Sequence, residues 1–133
     1  MNLVRWLLTA PLAYLGHAVA VLTAALLVFL LERLCPKEQL VSGLCTAPWY
    51  RSTEVAAFAL SSAIGAALFV ALPSFVAPSH RARVAAIAFV AGAAYAAWFL
   101  AKVGLSVIVP FCSAIASGAL VAWFLAKRSA RAA

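Results

Sequence analysis

The sequence predicts an all-α integral membrane protein whose four transmembrane helices form an antiparallel up-down bundle with both termini in the cytoplasm. Apolar residues make up 68% of the 133-residue chain and charged residues 10%. In soluble domains, apolar residues average roughly 45–50% and charged residues about 25%. A soluble chain of this length also has too little interior for so much apolar surface. The charged residues also leave four long uncharged segments. Together these observations predict a single membrane domain over residues 1–133.

Each uncharged segment is long enough to cross a bilayer as a helix, which takes about 20 apolar residues. The predicted spans are residues 6–31, 55–77, 84–101 and 105–126. The segments are continuously apolar, whereas strands of a membrane β-barrel alternate polar and apolar residues. Residues 1–5 and 18–20 resemble parts of a cleavable signal peptide, but residues 21–31 stay apolar. We therefore expect the first helix to be retained.

The predicted loop of residues 32–54 is the one sizeable connector. Pro36 suits the first turn of a short helix and Gly43 suits its end. Cys35 and Cys45 both lie in this loop, and we expect them to form a disulfide if the loop faces an oxidising compartment. The favoured interpretation is a disulfide-pinned connector, and the alternative is a docking site. Short turns at residues 78–83 and 102–104 make the neighbouring helices antiparallel.

Orientation follows from the distribution of lysine and arginine. One side of the predicted bundle has six basic residues and no acid: Arg5, Arg81, Arg83, Lys127, Arg128 and Arg131. The other side has four basic residues balanced by three acids: Arg33, Lys37, Arg51, Lys102, Glu32, Glu38 and Glu54. We therefore expect the first side to be cytoplasmic and to meet anionic lipid. The short loops fit a bacterial inner membrane.

The tryptophans fall near the ends of the predicted spans, where indole rings favour the membrane interface. Trp6 and Trp123 belong to the inner interface, and Trp49 and Trp98 to the outer one. Residues 98–102 and 123–127 share the sequence Trp-Phe-Leu-Ala-Lys. An aromatic anchor followed by a lysine that extends toward water accounts for both copies.

Helix packing is predicted from small residues at four-residue spacing, because lipid tails provide no hydrophobic drive between helices. Every span has such a face. The glycines on these faces are Gly16, Gly65, Gly92 and Gly118, accompanied by Ala20, Ala24, Ala57, Ser61, Ala88, Ala96, Ala114 and Ala122. The faces allow one compact bundle or contacts with other subunits.

Reactive groups are scarce in the sequence. There is no aspartate, and the three glutamates lie at or outside the outer interface. Paired carboxylates for acid–base chemistry are therefore missing from the predicted interior. The histidines and cysteines lack metal-ligand spacing, and no phosphate-binding or dinucleotide motif is present. We expect no catalysis, no metal, no cofactor and no nucleic-acid partner.

A polar group near the middle of the membrane is the main functional candidate. His17 lies about 16 Å along the first helix from Trp6. Residues at comparable depth complete a candidate intramembrane cluster of His17, Tyr14, Tyr95, Ser113 and Ser117. Intramembrane ionisable groups are functional candidates by default. The favoured interpretation is a structural imidazole that hydrogen-bonds Tyr95 or a serine, and the alternatives are a ligand, proton or ion site and a contact with a partner protein.

Two classes of function remain. The favoured one is a non-catalytic accessory or assembly subunit that packs through its helices, either in a homo-oligomer or in a larger membrane complex. The alternative is a small oligomeric transporter or channel with a polar track around His17. The sequence alone does not choose a substrate or a partner.

Overall fold

Four long helices make up most of the computed structural model, which describes residues 2–41, 44–77 and 79–131, with side chains from residue 7 onward. In chain order these helices, α1 to α4, are Asn2–Arg33, Tyr50–Val76, Arg81–Val103 and Ile108–Arg131. Each contains a stretch long and apolar enough to cross a membrane. The prediction of four helices that are long and apolar enough to span a membrane, and that pack together, is therefore confirmed.

Helix α2 lies at the centre of the bundle and contacts each of the other three helices. At one end of the bundle a small core forms where α2, α3 and α4 meet. Val70, Ala85 and Leu125 are buried there, with Phe89 packed against them. Helix α1 packs mainly on α2. The outward surfaces of the helices carry large apolar side chains, as expected of a chain whose solvent is lipid.

Two glycines allow α1 and α2 to approach backbone to backbone. A Cβ added to Gly16 would lie 2.7 Å from the backbone nitrogen of Phe69. One added to Gly65 would collide with the Cβ of Ala20. No larger residue fits at either position without moving the helices apart. The small-residue faces of α1 and α2 therefore face each other.

The other two glycines of the predicted packing faces accept aromatic rings. A Cβ on Gly92 of α3 would lie 3.4 Å from the ring of Phe69, and one on Gly118 of α4 would lie 3.2 Å from the ring of Phe89. Phe69 thus contacts α1 with its backbone and α3 with its ring. The small-residue faces are used inside the four-helix unit.

The connector between α1 and α2 differs from the predicted short helix. After Pro36, a single 3₁₀ turn at Lys37–Gln39 leads into a small antiparallel hairpin formed by β1, Leu40–Val41, and β2, Leu44–Cys45. Gly43, the expected helix end, lies outside the described residues. The backbone N–H and the hydroxyl of Thr46 both donate to the carbonyl of Gln39, which closes the hairpin.

The predicted disulfide joins the two ends of this connector. Cys35 and Cys45 are bonded, with Cα atoms 6.0 Å apart. The connector is also shorter than predicted, because α2 begins at Tyr50 and already includes Arg51 and Glu54. The prediction used charged residues to mark the expected edge of the bilayer's hydrocarbon core. A helix continues beyond that edge as long as its backbone hydrogen bonds are satisfied.

Glycine also shapes the last connector. Helix α3 ends at Val103, and Gly104 adopts a left-handed φ of 89° before the 3₁₀ turn Leu105–Val107. Only glycine takes this conformation readily. Helix α4 then begins at Ile108 and runs to Arg131, past the predicted end of the fourth span. The close link holds α3 beside α4.

Candidate functional site

Three of the five predicted cluster residues lie together on the outer surface of the bundle. The imidazole of His17 and the ring of Tyr95 meet edge to face, with centroids 6.0 Å apart. The ring of Tyr14 lies 6.2 Å from the imidazole on the other side. His17 therefore joins α1 to α3 through ring contacts. We call the surface formed by Tyr14, His17, Tyr95 and Trp98 the aromatic face.

The aromatic face is open to the surroundings of the bundle. Tyr14 is 71% exposed and Tyr95 is 55% exposed, and His17 is also exposed. Among the described residues, the imidazole makes its two ring contacts and no hydrogen bond. An inward-facing imidazole bonded to Tyr95 or to a serine was expected. The structure instead places His17 on the outside of the four-helix unit.

The aromatic face lies at mid-length of its helices. His17 lies at the middle of α1, Asn2–Arg33, and Tyr95 is three residues after the middle of α3, Arg81–Val103. At a rise of 1.5 Å per residue, both therefore lie within about 5 Å of the centre of their helices. If both helices cross the bilayer, imidazole and hydroxyl groups face hydrocarbon far from either headgroup layer.

The packing of α1 explains why His17 points outward. Gly16 must face α2, because its position against the Phe69 backbone leaves no room for a side chain. Successive helical residues are about 100° apart around the axis. His17 therefore lies to the side of the α1–α2 contact, on the flank nearest α3. Tyr14, three residues earlier, lies on the same flank.

Trp98 extends the aromatic face along α3. Its ring stacks on Tyr95 with centroids 6.1 Å apart, and the side chain is 57% exposed. The sequence predicts only an interface anchor at Trp98. Its spacing of three residues from Tyr95 places the two side chains on one face of a helix and was a usable signal for this stack.

The two serines of the predicted cluster lie elsewhere. The hydroxyl of Ser113 lies 2.8 Å from the carbonyl of Ala59, and the hydroxyl of Ser117 lies 2.8 Å from the carbonyl of Ala63. These two contacts cross from α4 to α2, and each hydroxyl shares its proton with a carbonyl one turn earlier in α4. The five residues therefore form two separate groups: rings on the outer surface, and serines that tie α4 to α2.

Two surface grooves of the bundle are lined by apolar side chains, apart from one threonine. One runs between α2 and α4 and is lined by residues that include Ala71, Phe75 and Leu120. The other runs between α1 and α2 and is lined by residues that include Leu27, Leu60 and Thr53. Neither contains His17. Within the described part of the chain, no group of three histidine, cysteine or acidic residues is close enough to hold a metal ion.

Two of the predicted interface anchors make ring contacts beyond the aromatic face. Trp49 precedes α2 and contacts Tyr50, with ring centroids 6.1 Å apart. Trp123 lies 4.9 Å from the ammonium of Lys127, one turn later in α4. The side chain of Trp6 lies outside the described residues.

Comparison of the chain with protein-family models, curated proteins and solved structures finds no match.

Proposed function

We propose that this protein is a non-catalytic assembly subunit of a membrane, which packs side by side with a partner through the aromatic face. One observation carries the proposal: His17 sits at mid-length of α1, on the outside of the bundle, without a hydrogen-bond partner among the described residues. Ionisable groups inside membranes almost always face a bundle interior or a watery cavity. An outward imidazole fits a site that another transmembrane helix covers.

The internal packing supports this proposal. Gly16 and Gly65 are used between α1 and α2, and Gly92 and Gly118 accept rings inside the unit. Every buried side-chain nitrogen or oxygen of the described residues also has a hydrogen-bond partner. The four-helix unit thus satisfies its own interior. The polar groups left over at mid-membrane depth are those of the aromatic face.

The orientation belongs to the same proposal. Helices α1 to α4 cross the membrane antiparallel, with both termini in the cytoplasm of a bacterial cell and the hairpin outside its inner membrane. The charge bias supports this, and so does the disulfide, since an oxidising compartment favours it. At the cytoplasmic side, Arg81, Arg83 and the basic end of α4 would meet anionic lipid. Arg128 lies 4.5 Å from the ring of Phe124, which keeps its charge near the helix end.

A transporter or channel receives less support. Its polar track needs Ser113 and Ser117 near His17, but both hydroxyls donate to carbonyls of α2. The two surface grooves described above are lined by apolar side chains and one threonine. Of the predicted polar track, His17 alone still supports a role in transport. Its outward position fits binding to a partner protein equally well.

The experiment is purification in a mild detergent, followed by measurement of the particle mass and a search for a second chain. An assembly subunit gives a particle larger than the 13.9 kDa chain, either a homo-oligomer or a stoichiometric complex. A 13.9 kDa protein without a partner, under conditions that preserve known membrane complexes, would contradict the proposal.

A further inference from the structure

We infer that the partner covering the aromatic face is a second copy of this chain, in a two-fold dimer in which each His17 hydrogen-bonds a tyrosine hydroxyl of the other copy. The inference rests on the proposed function and specifies its partner. It begins with the four side chains of the aromatic face, all of which lie on α1 or α3.

The hydrogen-bonding groups of this face are complementary to themselves. A neutral imidazole has one donor and one acceptor, and a tyrosine hydroxyl both donates and accepts. His17 is flanked by Tyr14 on its own helix and Tyr95 on α3. In a two-fold dimer, the imidazole of each copy pairs with a tyrosine hydroxyl of the other copy, which gives two equivalent pairs. Such an isologous contact repeats each bond by symmetry.

Membrane orientation makes this pairing specific in depth. Two copies of one chain insert the same way, so a two-fold axis along the membrane normal sets equivalent residues at equal depth. His17 and Tyr95 lie near the middle of their spans. A second copy therefore brings an imidazole and hydroxyls to the level where the first copy needs them. A foreign helix meets this need only if it has a polar residue at that same depth.

The face is also held in place before any partner binds. Phe69 contacts Gly16 with its backbone and Gly92 with its ring, so α1 and α3 are both packed against one residue of α2. This packing sets the ring centroids of His17 and Tyr95 6.0 Å apart. Side chains positioned in this way lose little freedom when a partner binds, which favours association.

Cysteine cross-linking in liposomes tests the inference with purified protein. Val21→Cys, in a Cys112→Ala background, is compared with Leu22→Cys and Leu120→Cys. Val21 is 54% exposed and lies one turn after His17 on the same side of α1. Leu22 is 69% exposed and lies five residues after His17, about 140° around α1. Leu120 is 65% exposed, near the middle of α4. We expect a disulfide-linked dimer from Val21→Cys and little from the two controls.

Variants of His17 complete the test, with energy transfer between labelled copies as the measure of association. His17→Phe removes two symmetric hydrogen bonds and should weaken dimerisation about tenfold, whereas His17→Gln keeps a donor and an acceptor and should retain it. His17 is exposed in the four-helix unit, so neither replacement disturbs the interior of the unit.

The outcomes separate this inference from the proposed function. Equal cross-linking at Leu22→Cys, or an unchanged association constant for His17→Phe, would overturn the two-fold dimer. A monomer in liposomes that forms a stoichiometric complex with a foreign chain in native membranes would overturn the second-copy partner and leave the proposed function standing. A monomer in both settings would overturn both.

Discussion

Gly16 of α1 lies against the backbone of Phe69 in α2, so closely that a Cβ would be 2.7 Å from the Phe69 nitrogen. This contact fixes the rotation of α1 and thereby turns His17 to the outside. The neighbouring atoms belong to a helical backbone, which cannot move aside as a flexible side chain can. The direction of His17 follows from this contact together with the close approach of Ala20 to Gly65.

We predict that Gly16→Ala destabilises the bundle by about 1–3 kcal/mol, the usual result of adding a methyl group to a packed site. Gly92→Ala is the matched control, because its Cβ would lie 3.4 Å from the edge of the Phe69 ring, which can tilt. That variant should be close to neutral. Unfolding in mixed detergent micelles measures both. Equal loss in the two variants would argue against a backbone contact at Gly16.

The second prediction concerns the serines that tie α4 to α2. Ser113→Ala and Ser117→Ala each remove a hydrogen bond to an α2 carbonyl at 2.8 Å. Each should cost about 0.6 kcal/mol, the average for interhelical bonds in membranes. Ser61→Ala serves as control, since its hydroxyl bonds Ala57 within its own helix and has no acceptor in another helix among the described residues. A loss for Ser61→Ala as large as that for Ser113→Ala and Ser117→Ala would contradict the assignment of an interhelical bond.

The third prediction concerns the three cysteines. Mass spectrometry of non-reduced protein should show one linked peptide pair containing Cys35 and Cys45, with Cys112 free. Cys112 lies on the outer surface of α4, so a water-soluble maleimide should label it only after detergent opens the bilayer. Replacing Cys35 and Cys45 by serine should lower stability by about 3 kcal/mol on the chain-entropy model. Two alkylatable loop thiols in protein purified without reductant would refute the bridge.

The fourth prediction concerns orientation. Reporter fusions after Arg83 and after Ala133 should both score as cytoplasmic, because the basic residues concentrate on that side. A fusion within the α1–α2 connector should score as external. An external signal from either of the first two fusions would reverse or break the proposed topology.

The sequence was sufficient to predict the four helices and the disulfide, because long uncharged segments and paired loop cysteines are strong signals. It did not predict the hairpin, since β1 and β2 have two residues each, too few for an alternating pattern. It predicted that His17 lies near mid-length of the first helix, but it did not predict that the side chain points outward. Gly16 was the usable signal for this direction. If the glycine faces α2, the next side chain points about 100° away around the helix axis. The ring contacts of Phe69 and Phe89 had no signal in the sequence.

The mass of the purified particle, compared between wild type and His17 variants, tests most directly whether the aromatic face binds a partner. The wild type and His17→Gln should form a particle heavier than the 13.9 kDa chain. His17→Phe should shift toward the free chain, and Leu22→Phe, on the other exposed side of α1, should behave as the wild type. A His17→Phe particle of unchanged mass and stability would contradict the role of this face.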